Sequence, residues 1–327
     1  MKYTDLNFEN AAAANRIFEE SIKAGDLLFK PFKNLDAFSS FFKTHKGSGI
    51  HQVSVVGESG CAFASGCYVE GEDRAYITLI LVRKDRRRQG IGRIMLSYLE
   101  DRLRKESGVF KIEIVFFNPK ALSWVLPGEN GADHPNAPGV DVGSNAYLFF
   151  KNCQYRDYAM QNSYYLDLSK YQIPSFIEDT IHKLEKENIT FGIYKADNYH
   201  GMEETIKRFE NPMWDRDFLG EIAKGKNARP ILIASHHRKI IGFTGPLDVE
   251  RSGRGFFAGI GVDREYRGKK ISKVLFCKLC ISLQQMGADF MTLFTGEQNP
   301  ARNIYEAAGF KIVRTWADMR KEWKADV

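Results

Sequence analysis

The chain has 327 residues, about twice the length of an ordinary single domain. Hydrophobic residues make up 43% and charged residues 27%, which excludes a disordered chain and is typical of soluble folded domains. The net charge of +6 fits a protein that binds an anionic ligand. The longest apolar run, residues 77–82, is too short for a membrane span, and the N-terminus lacks signal-peptide features. We therefore expect a cytoplasmic protein with no membrane partner.

Each half of the chain begins with a predicted helix that is followed by antiparallel strands. In the first half, helical spacing covers residues near 9–23 and the strands lie near 52–69. In the second half, the helix lies near 199–209 and the strands near 230–247. This order predicts a mixed α/β layer domain, of the α+β type with a mixed sheet.

The centre of the first half combines a strand, a turn and an amphipathic helix. Residues 75–82 are apolar and rich in β-branched side chains, which predicts a buried strand. A basic turn with two glycines follows at 83–92, and apolar residues then recur at helical spacing up to 103. A second short strand is predicted at 110–117.

The same pattern returns in the second half, at residues 256–262, 263–270 and 271–283, with a further strand at 290–294. The two copies align without gaps at an offset of 180 positions, as in Val82 and Val262, Arg87 and Arg267, and Gly92 and Ser272. A repeat of this length indicates a duplicated domain.

A helix predicted at residues 173–188 joins the two copies. We therefore assign residues 1–170 to an N-terminal domain. Residues 171–327 form a C-terminal domain that begins with this linker helix.

The turn from Arg87 to Gly92 has the features of an anion-binding site. The first turn of a helix has unpaired backbone N–H groups and a positive dipole potential. Gly90 and Gly92 allow close approach to the backbone, while Arg87 and Arg88 can donate charge-assisted hydrogen bonds to phosphate. The features predict a diphosphate ligand. The alternative is a basic loop that merely connects strand and helix, and a full G-x-G-x-x-G dinucleotide fingerprint is absent.

These motifs resemble the GCN5-related N-acetyltransferase (GNAT) superfamily. Its signature is Gln/Arg-x-x-Gly-x-Gly/Ala after a central strand, with a later Asn-x-x-Ala-x-x-x-Tyr-x-x-x-Gly-Phe on the next helix. The resemblance covers both halves, and tandem members such as mycothiol synthase are similar in length and layout. It implies two acyl-CoA N-acyltransferase domains and acetyl-CoA as the cofactor.

The resemblance also implies which residues hold the cofactor. In the first half these are Leu81, Val82, Arg87, Arg88, Gln89, Gly90, Ile91, Gly92 and Arg93. In the second half they are Val262, Arg267, Gly268, Lys270, Ser272 and Asn299.

Each half keeps a different part of this signature. The second half has Tyr305 where many members have the tyrosine that protonates the departing thiolate, whereas the first half has Phe150 there. Tyr147 and Tyr155 are possible substitutes or packed aromatic residues. In the second turn, Lys270 replaces a glycine, so its side chain either crowds or binds the phosphates.

The first half carries about 25 extra residues, around 118–142. In the superfamily this loop borders the acceptor site, so the resemblance predicts an acceptor pocket shaped by Trp124 and His134. The alternative is a structural flap. An attacking amine must also lose a proton. The candidate bases are Glu113, Glu297 and His134, and the sequence does not choose between them.

The predicted function is acetyl-CoA-dependent N-acetyl transfer to a small-molecule amine, by direct attack on the thioester. The alternative is a non-catalytic acyl-CoA-binding or sensing protein whose signatures are degraded. Nucleic acid is disfavoured as a partner because no aromatic residues interleave the basic run at 83–88. The lone C-x-x-C pair, Cys277 and Cys280, predicts packed thiols and no metal. We expect a monomer or homodimer.

Overall fold

A computed structural model describes residues 2–126, 134 and 139–324. The chain forms two compact units: Met1–Gln161 with Arg314–Val327, and Asn162–Val313. The predicted division at residue 170 rests on the sequence repeat and stays a prediction. The compact units differ from it because the C-terminal segment belongs to the first unit.

The helices and strands follow the order that the repeat predicts. From the N-terminus they are β1 (Tyr3–Asp5), α1 (Ala11–Lys23), α2 (Leu35–Phe41), β2 (Ile50–Gly57), β3 (Ala62–Val69), β4 (Ala75–Val82), α3 (Ile91–Ser107), β5 (Lys111–Ile114), β6 (Val140–Asp141), α4 (Asn145–Asn152) and β7 (Arg156–Asp167). They continue as α5 (Ser175–Lys186), β8 (Ile189–Ile193), α6 (Met202–Lys207), α7 (Pro212–Trp214), α8 (Gly220–Ile222), β9 (Leu232–His236), β10 (Lys239–Gly245), β11 (Gly259–Val262), α9 (Ile271–Gln285), β12 (Phe290–Gly296), α10 (Arg302–Ala307) and β13 (Lys311–Glu322). The predicted mixed α/β fold class is confirmed.

In the first unit the strand order is β1-β2-β3-β4-β5-β13. All neighbouring pairs are antiparallel except β4 and β5, which are parallel. Helices cover both faces of this sheet. Ile77 of β4 packs in the core beneath α3, whereas Leu79 packs with α1 and α2 on the opposite face. A bulge at Thr78 reverses the faces between these two residues.

In the second unit β11, β10, β9 and β8 form an antiparallel sheet, and α9 packs against it. The predicted strand at 256–262 is shortened to Gly259–Val262. Trp214 lies directly against Gly259, so a side chain at this position would collide with the indole ring. Cys277 and Cys280 are buried in the core of this unit.

No helix in the described ranges is long and apolar enough to cross a membrane.

The C-terminal strand is tied to the first unit by a buried carboxylate. Glu113 of β5 is 2% exposed, and its oxygens lie 2.6 Å from the Arg320 guanidinium of β13 and 3.3 Å from that of Arg74. Tyr158 donates a third hydrogen bond to Glu113, at 3.3 Å. Because a buried charge is costly without partners, this network fixes the position of β13 beside β5.

Replacing Arg320 by methionine should destabilise the protein by about 3 kcal/mol, since Glu113 would lose its closest cation and keep only Arg74. Urea denaturation measures the change. Arg314→Met is the matched control on the same strand, because its guanidinium lies 3.8 Å from Asp141 and is partly exposed. We expect a loss below 1 kcal/mol there. Equal losses in the two variants would contradict the assigned role of Glu113.

Candidate cofactor site and active site

The first turn (residues 83–90) has a conformation that a glycine makes possible. A 3₁₀ turn at Lys84–Arg86 follows β4, and the backbone then adopts positive φ at Arg88 (63°) and at Gly90 (80°). Gly90 is the N-cap of α3, which begins at Ile91. Left-handed backbone is unstrained for glycine and costs other residues roughly 1–2 kcal/mol.

The second turn (residues 263–270) follows the same path. A 3₁₀ turn at Arg264–Tyr266 precedes positive φ at Gly268 (81°) and at Lys270 (62°), the N-cap of α9. These positions lie 180 residues after Arg88 and Gly90. Each turn therefore has two left-handed positions, and glycine occupies a different one in each.

Both turns present unused backbone donors. The amide N–H groups of Gly90, Ile91 and Gly92 make no hydrogen bond within the described part of the chain. The same holds for the amides of Ile271 and Ser272 among the described residues. These groups and the helix dipole together favour an anion at each helix N-terminus.

The basic side chains of the first turn divide into two roles. Arg87 donates to the carbonyl of Val82 at 2.9 Å and pairs with Asp26 at 2.7 Å, so its guanidinium braces the turn. Arg88 is exposed. The backbone amides and Arg88 are thus the better-placed groups for an anion, while anion contact by Arg87 stays a prediction.

Other predicted cofactor residues of the first unit surround this turn. Leu81 packs in the α1–α2 core, and Gln89 donates to the Asp85 carbonyl at 3.3 Å. A Cβ at Gly92 would lie 3.3 Å from the ring of Phe149 and 3.5 Å from Val82, so this glycine allows α4 to approach α3.

The two parallel strands beside the first turn separate soon after they pair. Among the described residues, strand β4 pairs with β5 at two positions, Ala75–Ile112 and Tyr76–Glu113. Beyond that point, Asn118 donates its side-chain amide to the Ile77 carbonyl at 3.0 Å, which replaces the missing strand partner. The two strands thus separate next to the bulge in β4, before β4 reaches the first turn.

The second unit shows a similar separation. Arg254, which precedes β11, and Phe290, the first residue of β12, form a parallel bridge. In the described residues β11 then pairs with β10, and β12 pairs with β7.

A model of the acetyltransferase (GNAT) family matches residues 25–124 and 196–310. The chain belongs to this family. The two matches confirm the predicted pair of GNAT domains, and the chemistry of the family is acyl transfer. No curated protein matches the chain.

Several solved structures resemble the whole chain in fold. One is a GCN5-related glucosamine N-acetyltransferase region in a fungal multi-domain GH3 β-N-acetylglucosaminidase, with 16% identity, a TM-score of 0.62 and coverage of 98% of this chain and 38% of that one. Another is a tandem GNAT protein from the clavulanic acid biosynthesis pathway, with 16% identity, a TM-score of 0.57 and 99% coverage of both chains. A third is a GCN5-related N-acetyltransferase from Sphaerobacter thermophilus, with 15% identity, a TM-score of 0.58 and coverage of 100% of this chain and 96% of that one. At these identities the likeness shows the fold.

Tyr305, the predicted proton donor of the second GNAT domain, lies on α10 and is 7% exposed. Its ring packs against Phe276 at 5.0 Å and Tyr164 at 6.0 Å between centroids. Burial raises the pKa of Tyr305 to about 12. The phenol is therefore neutral at pH 7 and retains its proton.

The first GNAT domain offers no equivalent phenol. Phe150 is buried on α4 at the corresponding position. Tyr147 donates to Asp157 at 2.6 Å, and this hydrogen bond raises the pKa of Tyr147. Tyr155 is fully buried, and burial beside Glu100 raises its pKa well above the usual value.

The predicted bases are placed differently from one another. Glu113 is buried in the ion network described above, which argues against its action as a base. Glu297 is exposed after β12. Near it, Asn299 accepts a hydrogen bond from the Ala301 amide at 2.9 Å and so shapes the turn into α10.

Trp124 and His134, predicted to line an acceptor pocket, pack against each other at 4.5 Å. Trp124 also contacts Trp316 at 4.9 Å, and it is 1% exposed. Much of the predicted loop at 118–142 falls at 127–133 and 135–138, outside the described residues. The described part is a packed aromatic cluster, which favours the flap interpretation for these two side chains.

Two polar residues beside the strand separation were not predicted from the sequence. One is Asn118, which bonds to β4. The other is Asp318 of β13, which is buried and accepts a hydrogen bond from the Phe116 amide at 2.8 Å. An aspartate inside the apolar strand Trp316–Met319 was the available signal, but the sequence does not indicate that this strand joins β5.

Replacing Lys270 by glycine should stabilise the protein by about 0.5–1 kcal/mol, because glycine removes the strain of the left-handed N-cap. The control is Lys270→Ala, which removes the charge and keeps the Cβ. We expect its stability to change by only about a few tenths of a kcal/mol. Urea denaturation of both variants separates backbone strain from charge. A gain in the alanine variant equal to that in the glycine variant would refute the backbone explanation.

Proposed function

We propose that the chain is an acetyl-CoA-dependent N-acetyltransferase that acts on the amine of a small molecule, with transfer in the first unit. The observation that carries the proposal is the first turn, where unused amides at Gly90–Gly92 stand at the end of a strand that has parted from its parallel neighbour. Family membership supports acyl transfer, and the geometry supports this position for it.

The residues at the first turn fit the diphosphate of coenzyme A. The backbone amides of Gly90, Ile91 and Gly92 would hold the phosphate oxygens, and the exposed Arg88 would add a cation. A Cβ at Gly90 would meet no atom within 4 Å, so there is open space beside this residue of the turn. The second turn offers a similar backbone, with the Lys270 side chain beside it.

When bound, the acyl-CoA supplies a thioester whose carbonyl carbon an amine can attack, so that the C–N bond forms as the C–S bond breaks. The residues of this chain would position the reactants. The separation of β4 and β5 leaves backbone groups of β4 without a strand partner, and such donors can orient and polarise a carbonyl group.

The acceptor is proposed only by class. A primary amine on a small polar molecule fits the family chemistry, and glucosamine is a reasonable first probe because one structural neighbour carries a glucosamine N-acetyltransferase region. The competing function is acyl-CoA sensing without turnover. Release of the free CoA thiol in the presence of glucosamine, spermidine, lysine or an aminoglycoside would favour the enzyme, and binding with no release would favour the sensor.

Replacing Gly90 by tryptophan should weaken acetyl-CoA binding at least 100-fold, because a bulky indole at the turn would obstruct the approach of the diphosphate to the amides. Calorimetric titration measures the affinity. Gly108→Trp is the matched control: Gly108 ends the same helix, has φ of 73° and also has open space around a Cβ. The control carries the same backbone strain and should bind normally.

The corresponding pair in the second unit tests the competing location. Lys270→Trp blocks the second turn, and Gly287→Trp is its control, since Gly287 has φ of 90° and open space after α9. Loss of binding only in Lys270→Trp would move the cofactor to the second unit. Normal binding in both turn variants would overturn the proposed mode of binding.

Replacing Tyr305 by phenylalanine should leave kcat within threefold of wild type, because Tyr305 belongs to the aromatic core of the second unit. Phenylalanine preserves this packing, so stability should change by less than about 1 kcal/mol. Steady-state kinetics with an accepted amine gives the answer. A 10²-fold or larger drop in kcat with unchanged acetyl-CoA binding would instead establish Tyr305 as a proton donor for transfer in the second unit.

A further inference from the structure

Strand β13 brings a carboxylate to the face of the first unit that is opposite α3. Ile114 and Met319 are paired across β5 and β13, and both pack in the core beneath α3. Because side chains alternate along a strand, Glu113 and Asp318 project from the other face. That is the face where α1 and α2 pack against Leu79 of β4.

The carboxylate of Asp318 lies close to the point where β4 and β5 separate. Its Oδ1 accepts a hydrogen bond from the Phe116 amide at 2.8 Å, two residues after β5 ends at Ile114. Gly139 lies against the same carboxylate, since a Cβ there would be 3.0 Å from Oδ1. Asp318 is therefore held beside the strand separation rather than at the rim of the sheet.

Asp318 is buried without a cation. It is 6% exposed, and its second oxygen accepts a 3.3 Å hydrogen bond from the Gln161 side chain. Within the described ranges no ion pair joins it to a basic side chain. The other buried carboxylates of this unit differ, because Glu113 pairs with Arg320 and Glu100 pairs with Lys321. A buried carboxylate without a counter-ion is costly, and proteins retain such groups chiefly at functional sites.

The charged and titratable groups around Asp318 do not neutralise it. Arg320, two residues further along β13, directs its guanidinium to Glu113. Tyr158 of β7 donates its hydroxyl to Glu113, and Glu113 itself adds negative charge near Asp318. His134 packs edge-on against Phe116, with 6.3 Å between the ring centroids. Burial, together with the charge of Glu113, raises the pKa of Asp318.

We propose that Asp318 binds the protonated acceptor amine and takes its proton, so that the C-terminal strand supplies the base of the first unit. This rests on the proposed acetyl transfer in that unit. An ammonium group provides the positive charge that the buried carboxylate lacks, and its N–H groups are suited to carboxylate oxygens. The class of acceptor is therefore a cationic primary amine.

The proposed reaction moves two protons and exchanges a C–S bond for a C–N bond. The ammonium gives one proton to Asp318 and becomes a neutral amine, whose lone pair forms the C–N bond. The C–S bond breaks with its electron pair on sulfur, which takes the second amine proton. The products are an amide and a thiol, and Asp318 returns its proton to water.

Replacing Asp318 by asparagine should lower kcat/KM for an accepted amine 10²–10⁴-fold at pH 7 and leave acetyl-CoA affinity within threefold of wild type. The residual rate should rise about tenfold per pH unit up to the amine pKa, because only free amine then reacts. The wild-type rate should rise less steeply with pH than the rate of Asp318→Asn. Asp141→Asn is the matched control, since Asp141 lies on β6 opposite Trp316 of β13, and it should have normal turnover.

Thermal unfolding separates this role from a purely structural one. Because the pKa of Asp318 is raised in the fold, the native state binds more protons, and the carboxylate destabilises the wild type above that pKa. Asp318→Asn keeps an acceptor for the Phe116 amide without the charge. Its Tm relative to wild type should therefore rise as pH increases from about 4 to 8. Activity lost together with stability would indicate a structural role and overturn the proposal.

Failure of the proposed function and failure of the role of Asp318 give different results. If the wild type releases no CoA thiol with any amine of the panel, the proposed function fails and the role of Asp318 falls with it. If the wild type acetylates an amine and Asp318→Asn does so within threefold from pH 6 to 9, the proposed function stands and the role of Asp318 is wrong.

Discussion

Strands β4 and β5 of the first unit pair at two positions and then separate, and the chemistry available to this unit depends on that separation. A buried strand that loses its neighbour leaves carbonyl and amide groups without partners, which is costly unless other groups replace them. Asn118 supplies one replacement, a hydrogen bond to the Ile77 carbonyl. The bulge at Thr78 reverses the face of the sheet from which the following side chains of β4 project. Helix α3 lies on one face of the sheet at this separation, and Asp318 projects from the other face.

The C-terminal strand completes the sheet beside this separation. Without β13, strand β5 would be an edge with unpaired backbone groups, and Glu113 would keep only Arg74 as a cationic partner. The pairing of Arg320 with Glu113 satisfies that charge, whereas none of the described basic side chains pairs with Asp318, two residues away. The contrast is informative because both carboxylates project from the same face of the same strand pair. One is neutralised by the protein, and the other is left for a ligand to neutralise.

Much of the local structure was predictable from the sequence, because it depends on short-range patterns. Strand β4 was predicted at its observed bounds from its apolar run, and the Gly90 turn from residues within one helical turn of each other. The position of β13 in the sheet, beside β5, was not predictable. The hydrogen bond between Phe116 and Asp318 spans 202 residues, and that between Arg320 and Glu113 spans 207. Such pairs depend on the assembled sheet, and no periodicity in a single sequence encodes them. The burial of Trp124 was missed for the same reason, since its partner Trp316 is also distant in the chain.

The two turns indicate that backbone conformation constrains this fold more tightly than side-chain identity does. Left-handed backbone recurs at Arg88 and Gly90 and again at Gly268 and Lys270, although a basic residue carries the strain at the first position in one turn and at the second in the other. Strain of this kind persists only where the surrounding structure requires the conformation. A helix that must present its free amides at the end of a buried strand imposes such a requirement. The two units therefore retain similar main-chain donors, and they differ in the side chains that surround them, which is where a difference in activity between the units would originate.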